Sequence, residues 1–429
     1  MSERYQKSEQ LLERALKTIP LGSQTFSKSK TQYPKGVSPF FIQKAKGSHV
    51  WDVDGNEYID YVNSLAANTL GYNDPDVTAA VKMQLEEGVI FSLPHPIEIA
   101  VAEKLKELVP CAEMSRFGKN GSDATGGAVR LARAYTNREH IIVCGYHGWQ
   151  DWYIGQTARN RGVPQSTRDL THAFPYNDSA ALEALLNQYK DQVAAVILEP
   201  MNIIEPQKGF LEEVKRLTHA HGALLVFDET VTGFRYAKGG AQEYFNVTPD
   251  LATFGKGMAN GFPVAAIVGK TEYMKLMEEI FFSFTFGGET LSLAAALATM
   301  EKLQREPILE TMKVRGQKLL DGTNALIEKH GLHQTLSMSG HPSWHFLLFK
   351  DTGSFTMWQI KTLFLQEVFA RGILTLGSHN MCYAHSEKDV QTTLSAYDEV
   401  FAILKGALEK GNLLQLLRCD VLEPLFKIR

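Results

Sequence analysis

The chain has few cysteines, no long hydrophobic run and no excess of basic residues, and each absence excludes a class of protein. Only four cysteines occur in 429 residues, without the close spacing of a zinc site or a disulfide framework. The most apolar run, Leu291 to Met300, is too short to span a bilayer. The net charge of −4, with no stripe of lysine and arginine, argues against nucleic-acid binding. We therefore expect no metal, no membrane and no nucleic-acid partner.

What the chain does have is the composition of a large globular protein. Its residues are 44% hydrophobic and 21% charged, which is enough to bury the core of a two-domain enzyme. The N-terminal segment, Met1 to Arg14, is charged and lacks the apolar centre of a signal peptide. With scattered cysteines as well, these features predict a soluble protein of the cytoplasm.

Short apolar runs alternate with helical patterns through the middle of the chain. The runs are Ile141–Cys144, Val193–Leu198, Ala223–Phe227, Leu251–Phe254 and Ala265–Val268. This alternation predicts an α/β fold with a large, mainly parallel sheet, which we assign to residues 61–311. We expect residues 1–60 to form an N-terminal segment that contributes to a smaller domain, and residues 312–429 to form a C-terminal α+β domain.

Two charged residues follow neighbouring apolar runs. Asp228 closes the run Ala223–Phe227, and Lys256 comes just after Leu251–Phe254. Ligands of open α/β sheets bind where the carboxyl ends of the strands meet. Pyridoxal 5'-phosphate (PLP) requires both groups, because an amine holds its aldehyde as a Schiff base and an anion keeps its ring nitrogen protonated. At about 4 Å and an effective dielectric near 20, the anion contributes on the order of 4 kcal/mol.

Two further segments upstream suit the same cofactor. Gly121 and Ser122 stand where a strand and a glycine turn lead into a helical pattern, and backbone N–H groups at a helix start bind phosphate. Tyr146 follows the strand Ile141–Cys144 between two glycines, where its ring could stack on a flat ligand. Each segment alone is more often an ordinary cap or packing element, so it is their combination with Asp228 and Lys256 that predicts a PLP site.

These segments resemble a known family over nearly the whole chain, from about Leu16 to about Leu404. The matching motifs are Gly121-Ser122-Asp123-Ala124, Gly145-Tyr146-His147-Gly148, Leu198-Glu199-Pro200, Phe227-Asp228-Glu229, Thr232-Gly233-Phe234-Arg235, Gly255-Lys256-Gly257 and Thr285-Phe286-Gly287-Gly288. They resemble the class III (subgroup II) PLP-dependent aminotransferases, and within them the branch of glutamate-1-semialdehyde 2,1-aminomutase. The resemblance implies fold type I.

The resemblance also implies a role for each matching residue. Lys256 would carry the cofactor and shuttle the proton, and Asp228 would pair with the pyridinium nitrogen. Thr285 would reach the phosphate bound in the other subunit of a homodimer, so that the active site is shared across the interface. The remaining cofactor contacts would come from Gly121, Ser122, Tyr146, His147, Glu199, Asn202, Thr230 and Val231. Thr230 departs from the pattern, because an aliphatic side chain is usual there.

The substrate-binding segments depart further from the aminomutase pattern. Lys28 stands in the segment where that branch has an arginine, Gly377 replaces a glutamate, and Glu289-Thr290 replaces a usual Asn-Pro. Lysine is not an equal partner for a carboxylate. We therefore expect an aminotransferase acting on another aldehyde or ketone, for example a keto-sugar in surface-glycan synthesis. The polar residues that suggest a sugar are Ser23, Gln24, Ser27, Asn63, Ser64, Asn68, His379 and Asn380.

Three alternatives stay open from the sequence. The chain could be an intramolecular aminomutase, or it could racemise or decarboxylate an amino acid on the same scaffold. A nucleotide-binding oxidoreductase has less support, because we find no G-x-G-x-x-G after a strand with an acidic residue roughly 20 positions further on. The amino donor, the carbonyl acceptor and the pathway are not readable from the residues.

Overall fold

The computed structural model describes residues 3–423 of the chain. The described chain divides into two compact units. One comprises the residues up to Ala66, the segment Leu70–Asp74 and the residues from Glu310 onward, and the other comprises Ala67–Thr69 and Pro75–Leu309. The domain ranges predicted from the sequence stay predictions. Residues 1–2 and 424–429, which those ranges include, lie outside the described residues.

Strands form three sheets in the described chain. In chain order they are β1 (Ile42–Lys46), β2 (His49–Asp52), β3 (Glu57–Asp60), β4 (Met114–Gly118), β5 (His140–Cys144), β6 (Thr171–Ala173), β7 (Val193–Leu198), β8 (Leu224–Asp228), β9 (Leu251–Phe254), β10 (Ala265–Gly269), β11 (Leu336–His341), β12 (Trp344–Phe349), β13 (Ile373–Leu374) and β14 (Ser378–Asn380). The sheets have the orders β1-β2-β3-β13, β4-β10-β9-β8-β7-β5-β6 and β11-β12-β14.

Helices connect and cover these strands. They are α1 (Gln6–Ala15), α2 (Asn63–Ala66), α3 (Pro75–Glu87), α4 (Pro96–Leu108), α5 (Gly121–Thr136), α6 (Asp151–Ile154), α7 (Gln165–Arg168), α8 (Ser179–Gln188), α9 (Phe210–Ala220), α10 (Ala241–Tyr244), α11 (Thr271–Met274), α12 (Thr290–Arg305), α13 (Ile308–Lys329), α14 (Met357–Ala370), α15 (Glu387–Lys410) and α16 (Leu413–Leu416). Short 3₁₀ helices span Glu3–Tyr5, Pro20–Gly22, Phe26–Lys28, Lys256–Ala259 and Lys275–Glu278.

The seven-stranded sheet confirms the mainly parallel α/β fold. Strands β6, β5, β7, β8 and β9 run parallel to one another. Every residue of β7, β8 and β9 is buried, as expected for parallel strands covered on both faces. Strand β10 pairs antiparallel with both β9 and β4, a direction that its apolar run alone did not reveal.

Parallel pairing brings the carboxyl ends of these strands to one edge of the sheet. Strand β8 ends at Asp228, and β9 ends two residues before Lys256. The segment from Gly145 follows β5, Glu199 follows β7, and α5 begins at Gly121 just after β4. The fold thus brings Asp228, Lys256, Glu199 and Gly121 to one edge of the sheet. Among the described helices, none is long and apolar enough to cross a membrane.

Candidate cofactor and active site

The Asp228 carboxylate is buried at the end of β8 and is held by four hydrogen bonds. Its Oδ1 atom accepts from the Thr230 hydroxyl at 2.6 Å, the Thr230 backbone N–H at 3.1 Å and the Thr253 hydroxyl at 3.2 Å. Its Oδ2 atom accepts from Nδ1 of His147 at 2.9 Å. One oxygen therefore takes three donors and the other takes one.

These hydrogen bonds determine the charge of Asp228. Burial raises the pKa of the carboxyl, but the hydrogen bond and charge of His147, together with the two bonds from Thr230, outweigh burial and hold the pKa below its ordinary value. The carboxylate is therefore ionised at neutral pH. An ionised carboxylate offers about four lone-pair sites, so Oδ2 can accept a second N–H from a ring nitrogen beside it.

The His147 ring is buried between two acceptors. Its Nδ1 faces Asp228, and its Nε2 lies 3.2 Å from the carbonyl oxygen of Cys144. The Thr125 hydroxyl donates to the backbone carbonyl of His147 at 2.9 Å, and the edge of the Tyr153 ring packs against the imidazole with 5.3 Å between centroids. Because an ionised carboxylate only accepts hydrogen bonds, the bond to Asp228 places an N–H at Nδ1. His147 thus donates a hydrogen bond directly to the Asp228 carboxylate.

Lys256 begins the 3₁₀ helix after β9 in an unusual backbone conformation. Its φ is 41°, in the left-handed region that non-glycine residues rarely occupy. The next residue, Gly257, lies against Thr69, because a Cβ atom at Gly257 would stand 2.3 Å from the Thr69 hydroxyl oxygen. Strained backbone of this kind clusters at functional sites.

The segment after β4 has the construction of a phosphate site. The Asp123 carboxylate accepts the backbone N–H groups of Lys119 and Asn120 at 3.0 and 2.8 Å, so Gly121 and Ser122 follow as the first residues of α5. The first N–H groups of a helix have no partner within the helix and attract anions. The Ser122 hydroxyl also accepts from the Trp149 backbone N–H at 3.2 Å.

Two glycines permit the close approach of the loop that follows β5. A Cβ atom at Gly148 would stand 2.2 Å from the Ser122 hydroxyl oxygen, and one at Gly145 would stand 2.6 Å from Oε2 of Glu199. Both glycines have positive φ angles. The same Glu199 oxygen accepts the backbone N–H of Tyr146 at 3.0 Å. Glu199 therefore fixes the loop that carries the Tyr146 ring.

The other residues predicted to contact PLP are Asn202, Val231 and Thr285. Asn202 is buried, with a long contact of 3.5 Å between its Oδ1 and the Ile204 backbone N–H. Val231, the residue that follows Thr230, is buried. Thr285 is exposed, on the loop that precedes α12. Its predicted contact lies in a second subunit and stays a prediction.

Thr253 is a functional candidate that the sequence reasoning missed. It donates to Asp228 from within β9, whose other three residues are leucine, alanine and phenylalanine. A single hydroxyl in a fully buried apolar strand must find a partner. That isolated polar residue, next to a strand that ends in a carboxylate, is the signal that could have identified it.

Three of the eight polar residues that suggested a sugar substrate, Asn63, His379 and Asn380, are buried and bond within the fold. His379 is buried, with Nε2 at 2.6 Å from the Tyr397 hydroxyl. The Asn380 amide donates to the carbonyl of Val62 at 2.8 Å, and the buried Asn63 amide donates to the carbonyl of Asn380 at 3.2 Å. These groups stabilise their own unit of the fold, so their presence in the sequence does not support a hydroxyl-binding pocket.

Two of the three departures from the aminomutase pattern, Gly377 and Lys28, can be described in the structure. Gly377 has a φ of 91°, and a Cβ atom there would stand 3.0 Å from the carbonyl oxygen of Leu347. A glutamate at this position would require a different turn. Lys28 is exposed at the end of its short 3₁₀ helix.

Comparisons with known proteins establish the family. The family model Aminotransferase class-III matches residues 32–383. The chain is 35% identical over 412 residues to the 3-aminobutyryl-CoA aminotransferase of Cloacimonas acidaminovorans (strain Evry), covering 94% of this chain and 98% of that protein. The chain therefore belongs to the class III aminotransferases, as the sequence motifs indicated, and its cofactor is PLP.

Solved structures agree with this assignment. The PLP internal aldimine form of the FumI protein from Sphingopyxis sp. MTA144 is 30% identical with a TM-score of 0.88, covering 94% of this chain and 98% of that chain. An omega-transaminase from Sphaerobacter thermophilus is 27% identical with a TM-score of 0.85, covering 94% of this chain and 99% of that chain. The ionised Asp228, the lysine after β9 and the start of α5 fit the ring, the aldehyde and the phosphate of PLP.

Replacing Asp228 with asparagine tests the carboxylate. The change keeps the shape of the side chain but removes the charge that would hold a proton on the ring nitrogen. We expect amino transfer to slow by about a hundredfold or more, since an ion pair of roughly 4 kcal/mol need only be partly realised in the transition state. PLP binding, measured by absorbance titration, should weaken much less. Near-normal turnover in Asp228→Asn would place the ring nitrogen elsewhere.

Proposed function

We propose that this aminotransferase takes an amino group from a carbon that does not carry a carboxylate, as in a β-amino acyl thioester, and passes it to a ketone or aldehyde acceptor. The observation that carries the proposal is the 35% identity to a protein named for 3-aminobutyryl-CoA. The 27% identity to an omega-transaminase points to the same class of amine. The lack of an arginine in the segment of Lys28 agrees, because a neutral thioester needs no cation to pair with it.

Each of the predicted site residues has a separate role in amino transfer. When bound, PLP withdraws electrons from the carbon that loses its proton. In this proposal the Lys256 amine binds the cofactor and then moves a proton at the donor carbon. Asp228 keeps a proton on the ring nitrogen, while Gly121 and Ser122 bind phosphate oxygens at the start of α5. Two successive half-reactions then transfer the amino group from donor to acceptor.

The keto-sugar acceptor and the aminomutase reaction stay hypotheses with less support. The sugar hypothesis rested on polar side chains, several of which bond within the fold, including His379 and Asn380. The aminomutase reaction needs a site for a substrate carboxylate, and a buried anion without a good partner costs several kcal/mol. Both can be compared with the β-amino substrate in one experiment.

We predict that kcat/KM is at least about tenfold higher for a 3-aminobutyryl thioester with a ketoacid acceptor than for the alternatives. The alternatives are free 3-aminobutyrate, a neutral keto-sugar with glutamate as donor, and glutamate semialdehyde. Free 3-aminobutyrate is the matched control, because it has the same amine-bearing carbons and carries a carboxylate in place of the thioester. The Lys256→Ala variant, which we expect to be inactive, supplies the background rate.

Two outcomes would contradict this substrate proposal. Formation of 5-aminolevulinate from glutamate semialdehyde at about 10⁴ M⁻¹s⁻¹ or more, an ordinary enzyme efficiency, would favour the aminomutase. Preferred conversion of the keto-sugar would favour glycan synthesis instead.

We also propose that two copies of the chain share their active sites, as the resemblance implies for Thr285. Exposed apolar residues support this proposal: Leu93 is 78% exposed, and Phe281 is 81% exposed on the loop that contains Thr285. Leu93 lies on the loop between α3 and α4. This loop is bonded to the start of α12, because the Thr290 hydroxyl donates to the carbonyl of Gly88 at 2.9 Å. Large exposed apolar patches mark interaction sites.

The expected assembly is a two-fold dimer. Phe281→Asp should shift the protein toward monomer in analytical ultracentrifugation, because it would bury a charge in the interface. PLP should then bind more weakly by about tenfold, since the contact from the partner's loop is lost. Lys275→Asp, near this loop in the chain, is the control for added charge. A monomer that keeps normal PLP affinity and activity would contradict the shared site.

A further inference from the structure

Thr230 contacts three of the elements that surround the cofactor site. Its hydroxyl and its backbone N–H both donate to Oδ1 of Asp228, at 2.6 and 3.1 Å. Its methyl carbon, Cγ2, faces α5 and the turn before the lysine. A Cβ atom built at Gly121 would stand 3.0 Å from that methyl carbon, and one at Gly255 would stand 3.5 Å from it. One small branched side chain thus bonds to the carboxylate and lies close to the phosphate segment and the lysine turn.

We propose that Thr230 is a positioning residue that fixes the plane of the Asp228 carboxylate, so that Oδ2 is aimed at the ring nitrogen of PLP. The proposal rests on the role that we assign to Asp228. The resemblance places an aliphatic residue here, and the methyl group of threonine keeps that packing. The hydroxyl is what this chain adds.

The hydrogen bonds from Thr230 restrict rotation of the Asp228 carboxylate group. The terminal torsion of an aspartate is broad, so its oxygens are not fixed by the rotamer alone. On Oδ1 the Thr230 hydroxyl makes the shortest of the three bonds, and the Thr253 hydroxyl makes the longest at 3.2 Å. With Oδ1 held, the lone pairs of Oδ2 are left for His147 and the ring. Without the Thr230 hydroxyl, only longer bonds hold Oδ1.

The hydrogen bond from the Thr230 hydroxyl has a second effect, which shifts the protonation of the ring in the opposite direction. The two effects can be distinguished by experiment. A donor to a carboxylate also lowers its basicity. If that were the only effect, removing the hydroxyl would make Asp228 a stronger base and the ring more firmly protonated. If the hydroxyl positions the carboxylate, removing it misaligns Oδ2 and the ring becomes less protonated. The two effects shift the charge of the ring in opposite directions.

The nitrogen of Lys256, bonded to the cofactor, reports the charge of the ring. A positive charge nearby lowers the proton affinity of this nitrogen. A less protonated ring therefore raises the pH midpoint at which the visible absorption band of the bound cofactor changes. This measurement needs no substrate, so it is independent of which amine or ketone the enzyme uses.

The experiment compares Thr230→Val, which keeps the volume and removes the hydroxyl, with Thr230→Ser, which keeps the hydroxyl and removes the methyl group. In Thr230→Val we expect the midpoint to rise by about 0.5 pH units or more, a threefold or larger change in proton affinity. The dissociation constant of PLP should rise by less than about tenfold, because the phosphate segment is intact. Thr230→Ser should restore the midpoint of the unaltered protein.

Thr323→Val is the control for replacing a buried threonine. Its hydroxyl bonds to a helix carbonyl in α13 at 2.7 Å, and we expect no change of the midpoint. Should Thr230→Val fail to fold, Thr253→Val removes a longer bond to the same oxygen and should raise the midpoint by a smaller amount.

Three results would overturn the proposal. They are an unchanged midpoint in Thr230→Val, a lowered midpoint in Thr230→Val, or a shift in Thr230→Ser as large as that in Thr230→Val. Failure of the proposed function is visible separately, because it would change the substrate preference in kcat/KM and leave the midpoint shift of Thr230→Val unaffected.

Discussion

The proposed cofactor site depends on keeping one buried carboxylate, Asp228, ionised. Removing a carboxylate from water costs several kcal/mol even after the protein relaxes, and here the cost is offset by four hydrogen bonds from three residues. Thr230, Thr253 and His147 supply them from different parts of the chain. Because each bond has a specific direction, the carboxylate is fixed in charge and in orientation together.

This requirement explains the backbone around the site. His147 reaches Asp228 only because the loop after β5 passes close to α5 and to Glu199, and glycines at 145 and 148 leave room for that approach. Thr253 reaches the same carboxylate because β8 and β9 are parallel neighbours, with Asp228 opposite Thr253 in the register. The sheet therefore supplies the site with its donors as well as its position.

The meeting of the strand ends followed from the sequence, and the hydrogen bonds around Asp228 did not. Asp228, Lys256 and Gly121 close or follow apolar runs, and the parallel arrangement of such runs predicts that their ends meet. Strand direction is not encoded in a short apolar run, so the antiparallel β10 was not distinguished. The identity of a polar residue does not show whether its side chain faces solvent or forms hydrogen bonds inside the fold. Asn63, His379 and Asn380 were therefore interpreted as substrate contacts, and Thr253 was passed over.

We expect Lys256, just after β9, to bind PLP, and borohydride reduction of the enzyme tests this expectation most directly. Reduction of the purified enzyme should remove the visible band and leave the cofactor on the peptide that contains Lys256, as identified by mass spectrometry after proteolysis. Lys256→Ala should lose this label and Lys119→Ala should keep it. A label on another lysine, such as Lys119 or Lys270, would show that Lys256 does not bind the cofactor.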